Sequence, residues 1–355
     1  MQTSRGVRVR KDLGEKALQT LRRLGLLDLS LRVRTVNDHL IIPILREPST
    51  EELEDFQRQF AEVLIETTDF QKRRIKSRNI FDVLADRLPP RLLASLPKSI
   101  DIIGQVAVIE IPLELHEHRA RIGEAIVEVN SKVHTVLAKA SPISEKYRIR
   151  EFEIIAGKGE TLTTHREFGC MYRLDLRKVY FSPRLSFEHE RVASQVKEGE
   201  TVLDMFSGVG PFSILIAKRV GKVRVYAIDA NPDAILFLNE NIVLNKVQGR
   251  VTPILGDAGT IIKEHFAGKA DRVIMNLPEQ ALRFIDSACM ALKPTGGIVH
   301  YYSFALKPDP LGRAKEDLEQ AVLKSGRKIE SSLNVRTVKS TAPHEWQVAI
   351  DAKVE

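Results

Sequence analysis

Four polar residues, each following a short apolar run, are the side chains in this sequence best suited to hold a nucleotide-sized ligand. They are Asp204, Asp229, Asp257 and Asn276. After Asp204, Gly208 and Gly210 allow the backbone to turn tightly before a helix that opens near Phe212. Asp229 follows about twenty residues later, the spacing at which an acid reaches a ribose diol. The turn lacks the third glycine of a dinucleotide fingerprint, so the glycines alone are a weak signal.

The elements that must position these residues alternate regularly from about residue 186 onward. Strands are predicted near 201, 224, 251, 271 and 296, and helices near 190, 212, 232, 258, 280 and 312. This rhythm predicts an α/β domain with a mostly parallel, doubly wound sheet. Ligands of such sheets bind at the carboxyl ends of the strands, where the four polar residues would meet. Two last strands, about 329–338 and 345–354, should pair antiparallel at one edge.

Two smaller α/β modules are predicted before that sheet. A chain of 355 residues has room for two or three domains. We expect an N-terminal module over residues 1–68, a middle domain with its linker over 72–165, and the doubly wound domain over 166–355. The segment 71–78 carries five basic residues. It is either a solvated linker or a contact for phosphates.

Composition limits the classes of function. Lys and Arg total 54 against 47 Asp and Glu, a net charge of +7, which suits a nucleic-acid partner or a basic enzyme with small substrates. Two cysteines, with no C-x-x-C pair, predict neither a disulfide scaffold nor a metal site. Without a long apolar run or a leader-like start, we expect a cytoplasmic protein that does not contact the membrane.

Seven motifs together resemble the archaeal and eukaryotic tRNA (guanine-37-N1)-methyltransferase family, whose class I enzymes use S-adenosylmethionine (SAM). The motifs are Tyr147–Glu151, Thr161–His165, Lys178–Leu185, Asp204–Phe212, Ala227–Pro232, Val273–Pro278 and His300–Tyr302. The resemblance covers nearly the whole chain. It implies a small domain that binds the tRNA elbow, a middle domain and a Rossmann-like SAM domain. It also implies tRNA as the partner, contacted at the anticodon loop and the elbow, and we expect a monomer.

The resemblance assigns the cofactor site to the residues at the strand ends. It implies that Asp229 binds the SAM ribose and that Asp257 binds the adenine amino group, both suitable tasks for a carboxylate acceptor. The remaining contacts would come from Phe206, Gly208, Gly210 and Asn276. Asp204 is expected to hold the turn. Each carboxylate could instead act only as a cap on the following helix.

Asn276 and Pro278 belong to the motif Asn-Leu-Pro, which occupies the place of Asn/Asp-Pro-Pro-aromatic in amine-directed methyltransferases. This points to a planar nitrogen of a base as the target, and the missing aromatic residue argues against an exocyclic amine. The next residue is Glu279, where basic or apolar residues are common in the family.

Guanine N1 carries a proton at neutral pH, so its methylation needs a base and a group that stabilises charge on O6. The resemblance implies Glu188 as the general base, by an ungapped count, and Arg148 near O6. Glu190, two residues later, leaves a second candidate for the base. Tyr180 would support or stack on the flipped base.

Two other functions fit the same residues. A wyosine-pathway enzyme would methylate a tRNA wyosine intermediate or transfer the aminocarboxypropyl group of SAM, although the Asn-Leu-Pro motif disfavours the second reaction. A tRNA-binding factor with a vestigial pocket would need no chemistry at all. Titration with SAM separates that factor from the enzymes.

Overall fold

The chain divides into two compact units, residues 1–78 and 79–355, here called the N-terminal and C-terminal units. A computed structural model describes residues 2–60, 63–72, 79–141, 147–342 and 344–355. Most of the basic segment 71–78 lies outside these described residues. Its predicted contact with phosphates therefore has no structural description.

The described part of the N-terminal unit is an antiparallel sheet with the strand order β2-β3-β1-β4 and two helices. Its elements are β1 (Gln2–Arg10), α1 (Gly14–Arg23), β2 (Arg34–Val36), β3 (His39–Pro43), α2 (Thr50–Gln59) and β4 (Leu64–Phe70). Val7 and Val9 of β1 and Leu21 of α1 are buried in one core. α2 begins at a capping box, in which Ser49 and Glu52 satisfy each other's backbone N–H groups.

The first part of the C-terminal unit is a mixed sheet with the order β5-β6-β7-β8, in which only β6 and β7 are parallel. Its elements are α3 (Ile80–Leu84), α4 (Pro90–Leu93), β5 (Asp101–Ile103), β6 (Val106–Ile109), α5 (Arg119–Val129), β7 (Thr135–Lys139) and β8 (Phe152–Gly157). α5 makes the crossover that a parallel strand pair requires. It buries Ile122 and Ile126 with the helices before it.

A hairpin and a short helix lead from this sheet to the next. They are β9 (Leu162–Glu167), β10 (Cys170–Asp175) and α6 (Ser186–Ala193). The hairpin is built from residues that the sequence assigned partly to the middle domain and partly to the SAM domain. Both parts belong to the C-terminal unit, and the predicted boundary at residue 165 stays a prediction.

A seven-stranded sheet with the order β13-β12-β11-β14-β15-β17-β16 forms the rest of the C-terminal unit. Its elements are β11 (Thr201–Asp204), α7 (Pro211–Arg219), β12 (Arg224–Asp229), α8 (Pro232–Leu244), β13 (Val251–Leu255), α9 (Ala258–Ile261), β14 (Arg272–Met275), α10 (Ile285–Ala291), β15 (Gly297–Leu306), α11 (Pro310–Lys324), β16 (Ile329–Ala342) and β17 (Glu345–Val354). The first five strands in this order are parallel. β17 is antiparallel to both of its neighbours, and β16 is at the edge.

Each face of this sheet has its own core. Val202 packs with α7 and α8, whereas Leu203, the next residue of β11, packs with α9, α10 and α11. Because successive strand residues point to opposite faces, this division shows that helices cover both sides. The predicted doubly wound α/β fold is therefore confirmed, including the antiparallel pair at the edge.

Two buried asparagines join the hairpin to the seven-stranded sheet. Asn241 of α8 and Asn245, the residue that follows the helix, accept hydrogen bonds from the backbone N–H groups of Arg173 and Met171, at 2.7 and 2.8 Å. Their amides also donate to the carbonyl oxygens of the same two residues. These bonds satisfy one edge of β10 with side chains, where a further strand would otherwise pair. In the described residues, no helix has the length and apolarity needed to cross a membrane.

Candidate functional site

A cavity of about 290 Å³ lies at the carboxyl ends of the parallel strands in the C-terminal unit. It brings together most of the residues that the sequence singled out. Seven of those residues line it, namely Arg148, Tyr180, Phe206, Gly208, Asp229, Asp257 and Asn276. The end of each central strand contributes, because parallel strands present their carboxyl ends at one edge.

The glycine turn between β11 and α7 shapes one wall of this cavity. Gly208 and Gly210 have φ angles of +53° and +91°, in the left-handed region that glycine adopts without strain. Gly208 lines the cavity. Gly210 lies behind the turn, where a Cβ atom would come within 2.4 Å of Leu238 Cδ1. The structure therefore gives Gly210 a packing role rather than a surface towards the cavity.

Asp229 joins the end of β12 to the glycine turn. Its Oδ2 accepts the backbone N–H of Gly208 at 2.7 Å, and its Oδ1 accepts that of Asn231 at 2.9 Å. Burial raises the pKa of Asp229, and these two hydrogen bonds oppose the shift. The carboxylate thus orients the turn while it faces the cavity.

Asp204 is fully buried beneath the turn and receives the Ser213 hydroxyl at 2.7 Å. Burial, with Asp229 nearby, raises the pKa of Asp204 to about 7. Ser207, by contrast, lines the cavity, and its buried Oγ has no hydrogen-bond partner among the described residues. A buried hydroxyl without a partner at a cavity wall fits a polar ligand at this place.

Asp257 caps α9 and also lines the cavity. Its Oδ1 accepts the backbone N–H and the hydroxyl of Thr260, at 2.9 and 3.1 Å. The cap fixes the direction of the carboxylate. Asp257 is exposed, so its free lone pairs are available to a ligand amine.

A second cavity, of about 270 Å³, shares the walls formed by Arg148, Tyr180, Phe181 and Ser182 with the first. The Arg148 guanidinium lies 4.3 Å from the centre of the Tyr180 ring, a cation–π contact. Its Nη2 is 3.0 Å from Glu279 Oε1. Tyr147 and Arg148 both have positive φ angles, which non-glycine residues adopt at a cost of about 1–3 kcal/mol. Local strain of this kind often marks functional positions.

The loop that carries the Asn-Leu-Pro motif and Glu279 reaches both cavities. Asn276 lines the first, and its Oδ1 accepts the Gln347 amide at 3.5 Å. Pro278 is buried and is not a lining residue. Glu279 lines the second cavity. Sequence reasoning noted Glu279 only as a departure from the family, so its contact with Arg148 was missed.

Glu188 lies on α6 but does not line either cavity, although its neighbours Leu185 and His189 line the first. The side chain is buried. Its Oε2 accepts the Tyr302 hydroxyl at 2.9 Å and Arg191 Nε at 3.0 Å, and its Oε1 pairs with Arg336 of β16.

Glu190, the other candidate from the sequence, pairs with Arg219. It too lines neither cavity.

The partners of Glu188 belong to a larger buried group of charged residues that sequence reasoning did not find. Arg191 also pairs with Asp351, which accepts His300 Nδ1 at 2.6 Å. Arg272 contacts His300 Nε2 at 2.8 Å. Since arginine can only donate, His300 accepts at Nε2 and carries its proton on Nδ1. The only signal in the sequence was the motif His300–Tyr302, which carried no assigned role.

Charge within this group is set by pairing as well as burial. Burial by itself would raise the pKa of Asp351, but hydrogen bonds from His300 and Arg191 hold it well below its ordinary value. Burial lowers the pKa of His300 and keeps the ring neutral. The neutral His300 ring lies between Arg272 and Asp351 and holds the Asp351 carboxylate. Asp351 in turn pairs with Arg191, one of the two arginines that contact Glu188.

Comparisons with known proteins agree with this architecture. Family models described as the TRM5/TYW2 methyltransferase domain, the TYW2 N-terminal domain and the tRNA methyltransferase 5 N-terminal domain match residues 163–330, 80–161 and 6–52. A Pyrococcus abyssi protein named tRNA (guanine(37)-N(1))-methyltransferase Trm5b is 42% identical over 341 residues, 96% of each chain.

Two further proteins show how far the likeness extends. A solved complex of aTrm5 with tRNALeu has a TM-score of 0.81 and 32% identity, and the match covers 99% of each chain. A Saccharolobus solfataricus protein named tRNA 4-demethylwyosine(37)-methyltransferase Taw21 is 36% identical over 72% of this chain and 94% of its own length. With near full-length identity to the Pyrococcus protein and the matching methyltransferase domain, this chain belongs to the TRM5/TYW2 family of methyltransferases.

Proposed function

We propose that this protein transfers the methyl group of SAM to N1 of guanosine 37 in tRNA. The observation that carries the proposal is the pair of adjoining cavities, one at the strand ends and one behind Arg148 and Tyr180. One cavity suits a nucleoside cofactor and the other a planar base. The near full-length similarity to a protein named for this reaction supports the same choice.

The first cavity would hold SAM, which supplies an electrophilic methyl group when bound. Asp229 would accept the ribose hydroxyls and Asp257 the adenine amino group. Phe206, Gly208 and Asn276 would contact the rest. The Ser207 hydroxyl, which has no hydrogen-bond partner within the described part of the chain, offers a further hydrogen bond in this cavity.

The second cavity would hold the flipped guanine. Tyr180 would stack on the base or support it, and Arg148 would donate to O6. The guanidinium carries a delocalised positive charge and presents a rigid fork of donors. It therefore stabilises the negative charge that moves onto O6 when N1 loses its proton.

Glu188 is proposed as the base that accepts the N1 proton. In this structure Tyr302, Arg191 and Arg336 occupy its carboxylate, so the base must first become free towards the substrate. Arg336 is the partner best placed to leave, because its side chain is 25% exposed while that of Arg191 is 10% exposed. Loss of one cation also makes the carboxylate more basic.

The N-terminal unit is proposed to bind the tRNA elbow, while the C-terminal unit binds the anticodon loop. A positively charged chain favours such a partner, since tRNA presents phosphates along both regions. A monomeric state and a cytoplasmic location remain predictions from the sequence.

A second candidate is methylation of a wyosine intermediate at the same tRNA position. The specific observation is the similarity to the Saccharolobus protein, which is named for that reaction. Both reactions would use the same cofactor cavity, so the substrate decides between them.

Transfer of a labelled methyl group to unmodified tRNA tests the proposal directly. Transcripts with guanosine or adenosine at position 37, and tRNA carrying 4-demethylwyosine there, would be incubated with the protein and labelled SAM. Digestion and nucleoside identification should give 1-methylguanosine from the guanosine transcript alone. Labelling of only the wyosine intermediate would select the second candidate, and no labelling would refute both.

A further inference from the structure

We propose that Glu279 selects guanine at the target position by accepting a hydrogen bond from its 2-amino group. The inference rests on the proposed function, and it gives a role to a residue to which the sequence assigned none. It concerns recognition of the base and leaves the removal of the N1 proton to Glu188.

Glu279 lies beside Arg148, the residue that would bind O6. Its Oε1 lies 3.0 Å from Arg148 Nη2, and both side chains line the second cavity. It follows Asn276 by three residues, so a single loop directs Asn276 into the first cavity and Glu279 into the second. The loop thus places a carboxylate where the two cavities adjoin.

The cavity around this pair suits a flat aromatic ligand. Phe152, Leu176, Val179 and Phe304 provide apolar walls, and Tyr180 presents its ring. Arg148 Nε is buried and has no hydrogen-bond partner among the described residues. The guanidinium therefore keeps donor capacity beyond its contact with Glu279.

The pair complements the hydrogen-bonding edge of guanine. Guanine presents an acceptor at O6 and donors at N1 and the 2-amino group, with N1 between the other two. Arginine has donors only and a carboxylate has acceptors only, so Arg148 matches O6 and Glu279 matches the amine. Adenine presents an amine in place of O6, which would face the donors of Arg148. It is therefore rejected at that position.

Entry of the base must open the existing contact between the two side chains. The Glu279 side chain is 38% exposed and that of Arg148 is 12% exposed, so Glu279 is the freer of the two to move. One ion-pair contact would be exchanged for two hydrogen bonds, one donated by Arg148 to O6 and one accepted by Glu279 from the 2-amino group. A substrate without the 2-amino group would leave the carboxylate with no partner at this point.

Inosine at position 37 tests this idea, because inosine keeps O6 and the N1 proton and lacks only the 2-amino group. Single-turnover rates at subsaturating protein would be measured on tRNAs that differ only in guanosine or inosine 37. We expect the wild-type protein to favour guanosine by roughly 10- to 100-fold, the range of a hydrogen bond to a charged group. In Glu279→Ala the preference should fall to nearly 1, because the guanosine tRNA loses its hydrogen bond and the inosine tRNA no longer faces a carboxylate without a partner.

Glu330→Ala is the matched control, because Glu330 is also ion-paired, with Lys353, and its side chain is 39% exposed. This variant should keep the wild-type preference. Equal losses on both tRNAs in Glu279→Ala would mean that Glu279 only positions Arg148, and would overturn the proposal. A wild-type protein indifferent to the 2-amino group would overturn it as well. If guanosine 37 itself received no methyl group, the proposed function would fail, which is a separate and recognisable result.

Discussion

At the scale of single residues, the sequence and the structure suggest different surroundings for the Glu188 carboxylate. The sequence suggests a free carboxylate for proton removal, whereas the structure places it in a buried group with Arg191, Arg336 and Tyr302. Buried ion pairs are costly to break, because removing one partner leaves an uncompensated charge. Glu188 can therefore be a base, a structural anchor, or both in turn, and kinetics separates these roles.

We expect Glu188→Gln to slow the chemical step by roughly 10²- to 10⁴-fold, the usual contribution of a general base. Arg148→Ala should slow it by roughly 10²- to 10³-fold, as for one oxyanion donor. Because both serve one transition state, the double variant should lose less than the product of the single losses. Single-turnover rates at saturating SAM and tRNA measure all three.

Glu190→Gln is the control for these variants, since Glu190 pairs with Arg219 and lies outside the buried group. It should react at nearly the wild-type rate. A higher pH should also restore part of the Glu188→Gln rate, because hydroxide can remove some of the N1 protons. If Glu188→Gln unfolds more easily but reacts normally when folded, its role is structural and the base lies elsewhere.

Asp204 should make stability depend on pH. Its pKa of about 7 in the folded protein exceeds the value of about 3.9 expected when unfolded. Between about pH 4 and 7 the folded state therefore holds a proton that the unfolded state has lost. The stabilisation that Asp204 contributes to the folded state is fully present below about pH 4. It is lost as the pH rises from there through about 7, and the total loss is up to about 4 kcal/mol.

Asp204→Asn removes the titration, because an amide stays neutral. Urea unfolding at pH 5, 6, 7 and 8 should show that the free energy of unfolding of the variant increases relative to that of the wild type as pH rises. Little further change is expected above pH 8. If the free energies of unfolding of the two proteins changed in parallel with pH, Asp204 would be ionised throughout this range. Other contacts would then offset the cost of burying its charge.

At the scale of elements, the turn between β11 and α7 depends on Gly210. A Cβ atom there would lie 2.4 Å from Leu238 Cδ1 of α8, and the φ angle of +91° disfavours any other residue. We expect Gly210→Ala to lower the free energy of unfolding by about 1–2 kcal/mol for the backbone and by a further 1–3 kcal/mol for the clash. Denaturant unfolding gives the total.

Gly249→Ala separates these two contributions. Gly249 has a φ angle of +75°, and a Cβ atom added there would meet no atom of the described residues within 4 Å, so only the cost of the backbone conformation applies. The difference between the two variants then measures the clash with Leu238 of α8 and Ile214 of α7. Equal losses would show that these two side chains move aside without a cost in stability.

At the scale of the whole molecule, the two compact units should divide the work of binding. Removal of residues 1–78 takes away the unit proposed to bind the tRNA elbow and leaves both cavities intact. Affinity for full-length tRNA should fall, while the rate on an anticodon stem-loop, which has no elbow, should change little. Gel-shift titrations and methyl transfer on both RNAs measure this. Equal losses on the two RNAs would contradict the division.

Local pattern was sufficient to predict the doubly wound sheet and the polar residues at its strand ends. Periodicity reports the type of each element, and the rule that parallel strands share a carboxyl edge then gathers Asp229, Asp257 and Asn276. β1 was missed, although Gly6–Arg10 alternates apolar and basic residues, because the strand begins with the polar run Gln2–Arg5. β9 was missed because Leu162–Glu167 is mostly polar and pairs only with β10.

Contacts between distant segments depended on the tertiary structure. Glu188 meets Tyr302 and Arg336 only because β15, β17 and β16 lie side by side in a given register, which no local pattern encodes. Arg148 meets Glu279 for a similar reason, since the loop after β14 reaches the segment that precedes β8. Side-chain partners across a sheet follow from strand order and register, and these are set by the packing of the whole core rather than by the residues that flank each site.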